Sequence, residues 1–155
     1  MEDEEFRRIY DLTKDSVYRT ALTWVKNPAD ALDITQEVMV KLYRHKGEFA
    51  DDTHARQWLL RVTVNQSKDL LRSAWFSRRQ ETDLEKLQAA DSSDSDILQM
   101  ILSLPLKYRS VIYLHYYEGY SFTETASILR ISEAAAKMRA KRARDMLRLE
   151  MEEED

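Results

Sequence analysis

Cations and amides at helical spacing are the residues of this sequence best equipped for chemistry. Between Arg130 and Arg148 lie seven cations (Arg130, Lys137, Arg139, Lys141, Arg142, Arg144, Arg148), opposed only by Glu133 and Asp145. At about 100° per residue, Ala134, Lys137, Met138, Lys141 and Arg142 share one helix face, flanked by Arg139 and Arg144. Ala136, Ala140, Ala143 and Leu147 form the inward stripe. A face of small and cationic side chains is what a helix entering a DNA major groove presents, although a merely solvated basic helix has the same charge. A second set, Arg61, Asn65, Lys68 and Arg72, falls within about 60° on another helix. Three of these suit phosphates, and the amide can read a base edge. Trp58, near the start of that helix, either stacks on an unpaired base or packs in the core. Asp30, Asp33 and Glu37 share a third face, on which exposed Asp33 and Glu37 suit a basic partner helix. A metal site on these acids lacks both a nearby histidine and a glycine-bearing ligand loop.

Other chemistries find no residues to carry them. The three histidines, His45, His54 and His115, lie in different elements without metal-ligand spacing, and no glycine-rich phosphate loop or nucleophile elbow occurs. The expectation is a protein that is not an enzyme and needs no cofactor or metal. With no cysteine there is no disulfide, thiolate metal site or cysteine nucleophile. No apolar run reaches membrane-spanning length, and the acidic start MEDEE lacks the basic region of a signal peptide, so a cytoplasmic location without membrane contact is expected. The net charge of −4 argues against a polyanionic partner. Its distribution does not, because the acids gather at the two ends, Glu2–Glu5 and Glu150–Asp155.

The elements that position these residues are all helical. Two glycines and two prolines among 155 residues leave little for the turns of a β fold, while 43% hydrophobic residues are enough for a packed core. Phe6, Ile9, Tyr10, Val17, Ala21, Leu22 and Val25 keep helical period from Phe6 to Lys26. Asn27 and Pro28 then cap and open a second helix, with Ala31, Ile34, Val38 and Leu42 as its buried stripe. Gly47 ends it. After a loop over 48–53, a third helix is expected from His54 to Phe76, with Leu59, Val62 and Leu70 facing the core.

Residues 77–93 are polar and read as a flexible linker, partly helical around Leu84. A second helical unit follows: a helix over 97–102, a helix from Pro105 to Tyr117, and a helix-turn-helix over 121–148. Ser121 and Glu124 have capping-box spacing, Arg130 and Ile131 make the break, and Ser132 caps the last helix. The reading is therefore all-α, with two small helical domains at 1–76 and 94–150, the linker between them, and an acidic tail at 151–155 expected to be poorly ordered.

Three segments carry a family resemblance. DALDITQEVMVKLYRH, Asp30 to His45, resembles the helix by which bacterial RNA polymerase sigma factors of the extracytoplasmic-function (ECF) group, within the sigma-70 family, grip the polymerase core. ARQWLLRVTVNQSKDLLR, Ala55 to Arg72, resembles the helix that melts and reads the minus-ten element. LPLKYRSVIYLHYYEGYSFTETASIL, Leu104 to Leu129, resembles the start of the domain that places its last helix on the minus-thirty-five element. The likeness covers Phe6 to Leu149.

This resemblance implies a promoter-specificity factor that binds polymerase core and directs initiation by recognising and melting promoter DNA. It implies a core-binding surface of Asp33, Gln36, Glu37, Lys41, Leu42 and Arg44. In the same terms the loop over 47–53 holds a flipped base. Arg56, Arg61, Asn65, Lys68 and Arg72, with Trp58, make the minus-ten contacts. Lys137, Met138, Lys141 and Arg142 face the minus-thirty-five groove, and Arg139 and Arg144 meet phosphates. An anti-sigma factor covering both domains is a recurrent partner in this group. The alternatives are a free-standing helix-turn-helix regulator and a degenerate sigma-like interaction protein. The sequence departs from the family at Arg130, where Gly is usual, and at Ala134-Ala135-Ala136, where a Gly-Thr-Val run is usual. A left-handed turn at Arg130 costs about 1–2 kcal/mol.

Overall fold

The structure, a computed structural model, describes residues 1–73 and 95–154. The proposed linker at 77–93, with its helix around Leu84, lies outside the described residues, as does the expected end of the third helix at Phe76. Every regular element among the described residues is helical. The chain divides into two units, Met1–Thr82 and Asp83–Asp155.

The first unit packs α1 (Asp3–Val25), α2 (Pro28–Tyr43) and α3 (Asp52–Arg72) around one apolar core. Helix α1 begins inside the acidic stretch. Asp3, Glu4 and Glu5 occupy its first turn, where carboxylates meet the positive end of the helix dipole. It stops at Lys26 in a left-handed conformation, φ 56°. The Asn27 side chain accepts from the Asp30 N–H at 3.1 Å, and Pro28 takes the first turn of α2. Asp51 caps α3 by accepting from the His54 N–H at 2.8 Å, which starts this helix two residues before the sequence expectation.

The core of α3 is rotated from the expected stripe. Leu59 is buried as anticipated, but Val62 and Leu70 are half-buried while Leu60, Thr63, Val64 and Ser67 are fully covered. Apolarity alone selects the wrong edge because threonine satisfies its own hydroxyl in a helix. Thr63 Oγ1 donates to the Leu59 carbonyl at 2.7 Å, and Thr13, Thr20 and Thr35 do likewise one turn back. Phe6 and Tyr10, which share the apolar period of α1 with buried Ile9 and Val17, line an open groove.

In the second unit α4 (Ser95–Leu102) and α5 (Leu106–Ile112) meet at the Leu104-Pro105 break. Arg109 is buried there and donates to the Leu104 carbonyl at 3.1 Å. Burial pushes its guanidinium down to about 10, so it stays charged at neutral pH. The helix expected to run on to Tyr117 widens after Ile112 into a π-helical turn, Tyr113–Tyr117. Helix α6 (Phe122–Leu129) opens with the full capping box: Glu124 N–H donates to Ser121 Oγ at 3.0 Å, and Ser121 N–H to Glu124 Oε1 at 2.9 Å. Arg130 then takes φ 58°, and Ile131 N–H reaches back to the Ala126 carbonyl at 3.0 Å, a Schellman-type stop that normally favours glycine. Ser132 caps α7 (Glu133–Glu154), accepting from Ala135 N–H at 3.1 Å. The segment 151–154, expected as a poorly ordered tail, continues this helix.

Candidate nucleic-acid and protein interfaces

Helix α2 exposes two adjoining strips. Asp33, Gln36, Glu37, Lys41 and Arg44 are all exposed. Leu42 is not: it is 0% exposed, and its role is to anchor α2 to the core beneath the surface. That corrects its expected place on a binding face, since 100° per residue puts it in line with buried Ile34 and Val38. Beside the charged strip, Leu32, Met39, Val40 and Tyr43 join Phe6 and Tyr10 around an apolar groove of about 650 Å³. Exposed Leu32 and Val40 were the overlooked signal, being apolar residues off the buried stripe.

The acidic face is shared with α3. Asp30 is buried beneath it, while Asp33 and Glu37 are exposed. Together with Gln66, Asp69 and Ser73 they border a cavity of about 340 Å³. The Gln66 amide joins the two helices, donating to the Glu37 carboxylate and accepting from Lys41 Nζ at 2.7 Å. This hydrogen-bonded bridge fixes the spacing of charges along α2. Among the described residues no group of three or more His, Cys, Asp or Glu is placed to hold a metal ion.

Around the opposite side of α3, Arg61, Asn65 and Lys68 are half-buried and Arg72 is exposed. None turns into the core. Lys68 Nζ lies 5.7 Å from the Trp24 ring centroid, within cation–π range. Arg56, half-buried nearer the helix start, places Nη1 3.4 Å from Ser16 Oγ on α1.

Trp58 proves to be neither core nor isolated. It is half-buried in a cluster of rings, with centroids 4.7 Å from His45 and 5.6 Å from Phe49. His45 and Phe49 stack at 4.6 Å, and His54 meets Phe49 edge-on at 5.4 Å. The His54 Nδ1 also accepts from the Ala50 N–H at 3.0 Å, pinning the loop over 47–53 to the start of α3. Phe49 was the signal missed, a single aromatic in an otherwise polar loop. Four clustered rings beside a loop offer π faces to a base outside a duplex.

In the second unit Ala136, Ala140 and Ala143 are all 0% exposed, so α7 packs on a seam with no side chain beyond Cβ. The other side carries Lys137, Met138, Lys141, Arg142 and Arg144 in the open, with Arg139 half-buried. Met138 is 59% exposed, an apolar side chain able to meet a thymine methyl. Lys137 pairs with Glu133 one turn back at 3.3 Å, a surface ion pair that is weak enough for a phosphate to displace. The Tyr108 hydroxyl is hydrogen-bonded to Arg142, which holds the phenol below its usual range. Among the described residues no helix is long and apolar enough to cross a membrane.

The two units coincide with two family models: Sigma-70 region 2 matches residues 9–77, and Sigma-70, region 4 matches residues 94–147. The RNA polymerase sigma-E factor of Streptomyces avermitilis is 31% identical over 161 aligned positions, covering 97% of this chain and 87% of that protein. The RNA polymerase sigma factor SigV of Bacillus subtilis is 28% identical, covering 92% and 88%. The ECF RNA polymerase sigma factor SigW of the same species is 28% identical, covering 97% and 90%. Two solved structures share the fold. The sigma factor RpoE in complex with the anti-sigma factor NepR from Bartonella quintana superposes with a TM-score of 0.72 at 17% identity, over 96% of this chain and 98% of that one. CnrH in complex with the cytosolic domain of CnrY gives 0.71 at 22% identity, over 99% and 92%.

Proposed function

The chain belongs to the sigma-70 family, among its ECF sigma factors, and from that membership we propose how its surfaces divide the work. As a sigma factor it directs transcription initiation, binding RNA polymerase core and promoter DNA. RNA polymerase is the catalyst, and we assign this chain no reaction of its own. Its place of work is then the cytoplasm, with the polymerase.

Helix α2 docks on the core enzyme. Asp33, Gln36, Glu37, Lys41 and Arg44 supply the polar contacts, and the adjoining groove of Tyr10, Leu32, Val40 and Tyr43 supplies the apolar area. Arg61, Asn65, Lys68 and Arg72 follow the backbone of the minus-ten region, aided by Arg56. The loop over 47–53, with Phe49 and Trp58, receives an unpaired base. In the second unit Lys137, Met138, Lys141 and Arg142 face the minus-thirty-five groove, with Arg139 and Arg144 at flanking phosphates.

One observation supports this reading most strongly. A single three-helix unit presents an acidic and apolar face on α2, and a separate cationic stripe on α3 away from the core. A free-standing helix-turn-helix regulator has no need of the first face. The structural relatives were solved with an anti-sigma factor or the cytosolic domain of CnrY. An inhibitor of that kind would act on this chain by covering both units.

The test is co-purification of the chain with polymerase core. Asp33→Lys with Glu37→Lys should weaken that association at least about tenfold, because like charges then face a basic partner helix. Undiminished association would contradict the assignment of α2.

A further inference from the structure

A chain of rings runs through the second unit and ends at a cation. Phe122, the first residue of α6, stacks on His115 with centroids 3.8 Å apart and planes 15° from parallel. His115 Nδ1 is 2.7 Å from the Tyr120 carbonyl, so that nitrogen carries the proton and donates. The same imidazole meets the Tyr116 ring edge-on, 4.8 Å away at 86°. Tyr116 in turn lies 5.7 Å from the guanidinium carbon of Arg144 on α7.

Two features of the backbone make this possible. The π-helical turn adds a residue to the turn that carries His115 and Tyr116, and such turns recur at functional sites. The alanine seam of Ala136, Ala140 and Ala143 lets α7 approach closely. Tyr116 is nevertheless 48% exposed, so burial does not explain its aromatic ring.

We propose that Tyr116 is a positioning residue that holds the Arg144 guanidinium in place for a DNA phosphate. An unrestrained arginine loses rotamer freedom on meeting a phosphate, and a planar guanidinium resting on a fixed ring has already lost part of it. The ring is held by its edge-on contact with His115, and His115 by the start of the helix-turn-helix. Correct folding of the α6 turn and correct aim of Arg144 are thereby linked. This inference rests on the reading that the cationic face of α7 meets DNA.

The experiment uses the full chain bound to polymerase core, on a promoter fragment from which that complex initiates, with affinity measured over a series of salt concentrations. Arg144→Ala should weaken binding and lower the salt slope by about one. Tyr116→Ala should weaken binding about two- to five-fold. Tyr116→Phe, which keeps the ring, should restore it. In the Arg144→Ala background, Tyr116→Ala should add nothing further. An undiminished effect of Tyr116→Ala in that background, or none in the wild-type one, overturns the positioning role. If Arg144→Ala alone leaves affinity and slope unchanged, the DNA-facing reading of α7 fails first and the role of Tyr116 with it.

Discussion

On α3 Arg56, Arg61 and Lys68 are half sunk into their own unit, with Lys68 over the Trp24 ring and Arg56 reaching Ser16, while Arg72 is exposed. On α7 Lys137, Lys141, Arg142 and Arg144 stand exposed on a helix whose buried side is alanine. The difference teaches where each interface can change. A half-buried cation on α3 is part of the packing, so its position is set by the fold, and replacing it should disturb structure and the proposed binding together. On α7 the partners are single contacts near the surface, Glu133 for Lys137, Tyr108 for Arg142 and Tyr116 for Arg144, so substitution there should alter the proposed DNA contacts at small cost to folding.

This contrast can be broken first in the cores. Leu42→Ala removes a fully buried side chain from the first unit and should destabilise it by about 2–5 kcal/mol. The alanine seam should respond in the opposite sense to size. Ala140→Leu overfills it and should cost the second unit about 1–3 kcal/mol. Denaturant-dependent hydrogen exchange, read separately at α2 and α7, checks both. Equal sensitivity of both helices to either change would remove the distinction between a thick core and a thin one.

The smallest effect is expected at the turn. Arg130 stands at φ 58°, where a Cβ is strained. Arg130→Gly relieves the strain but adds freedom to the unfolded chain, so the net gain should be under about 1 kcal/mol. A loss of stability instead would show that the arginine side chain contributes something the turn geometry does not reveal.

Much of this architecture was legible in the residues. Caps at Asn27, Ser121 and Ser132 are local, since each side chain reaches a backbone N–H three residues ahead, and local rules found them. The cationic stripe on α3 was placed by angle alone. The core stripe of the same helix was not, because self-satisfied threonine hides among polar residues in any hydrophobicity count. The π-helical turn was invisible for a different reason: it accompanies burial of Tyr113 and stacking of His115 on Phe122, tertiary contacts with no spacing signature. The groove beside α2 was not foreseen, because Phe6 and Tyr10 have helical period whether or not a partner covers them. The resemblance placed Leu42 on the surface while periodicity placed it inside, and burial followed periodicity.

Run-off transcription with purified polymerase core tests the central claim most directly, with the start sites mapped across genomic fragments. Initiation at discrete sites that share upstream elements, and only when this chain is added, is the predicted result. Core enzyme that initiates identically with and without the chain would contradict it.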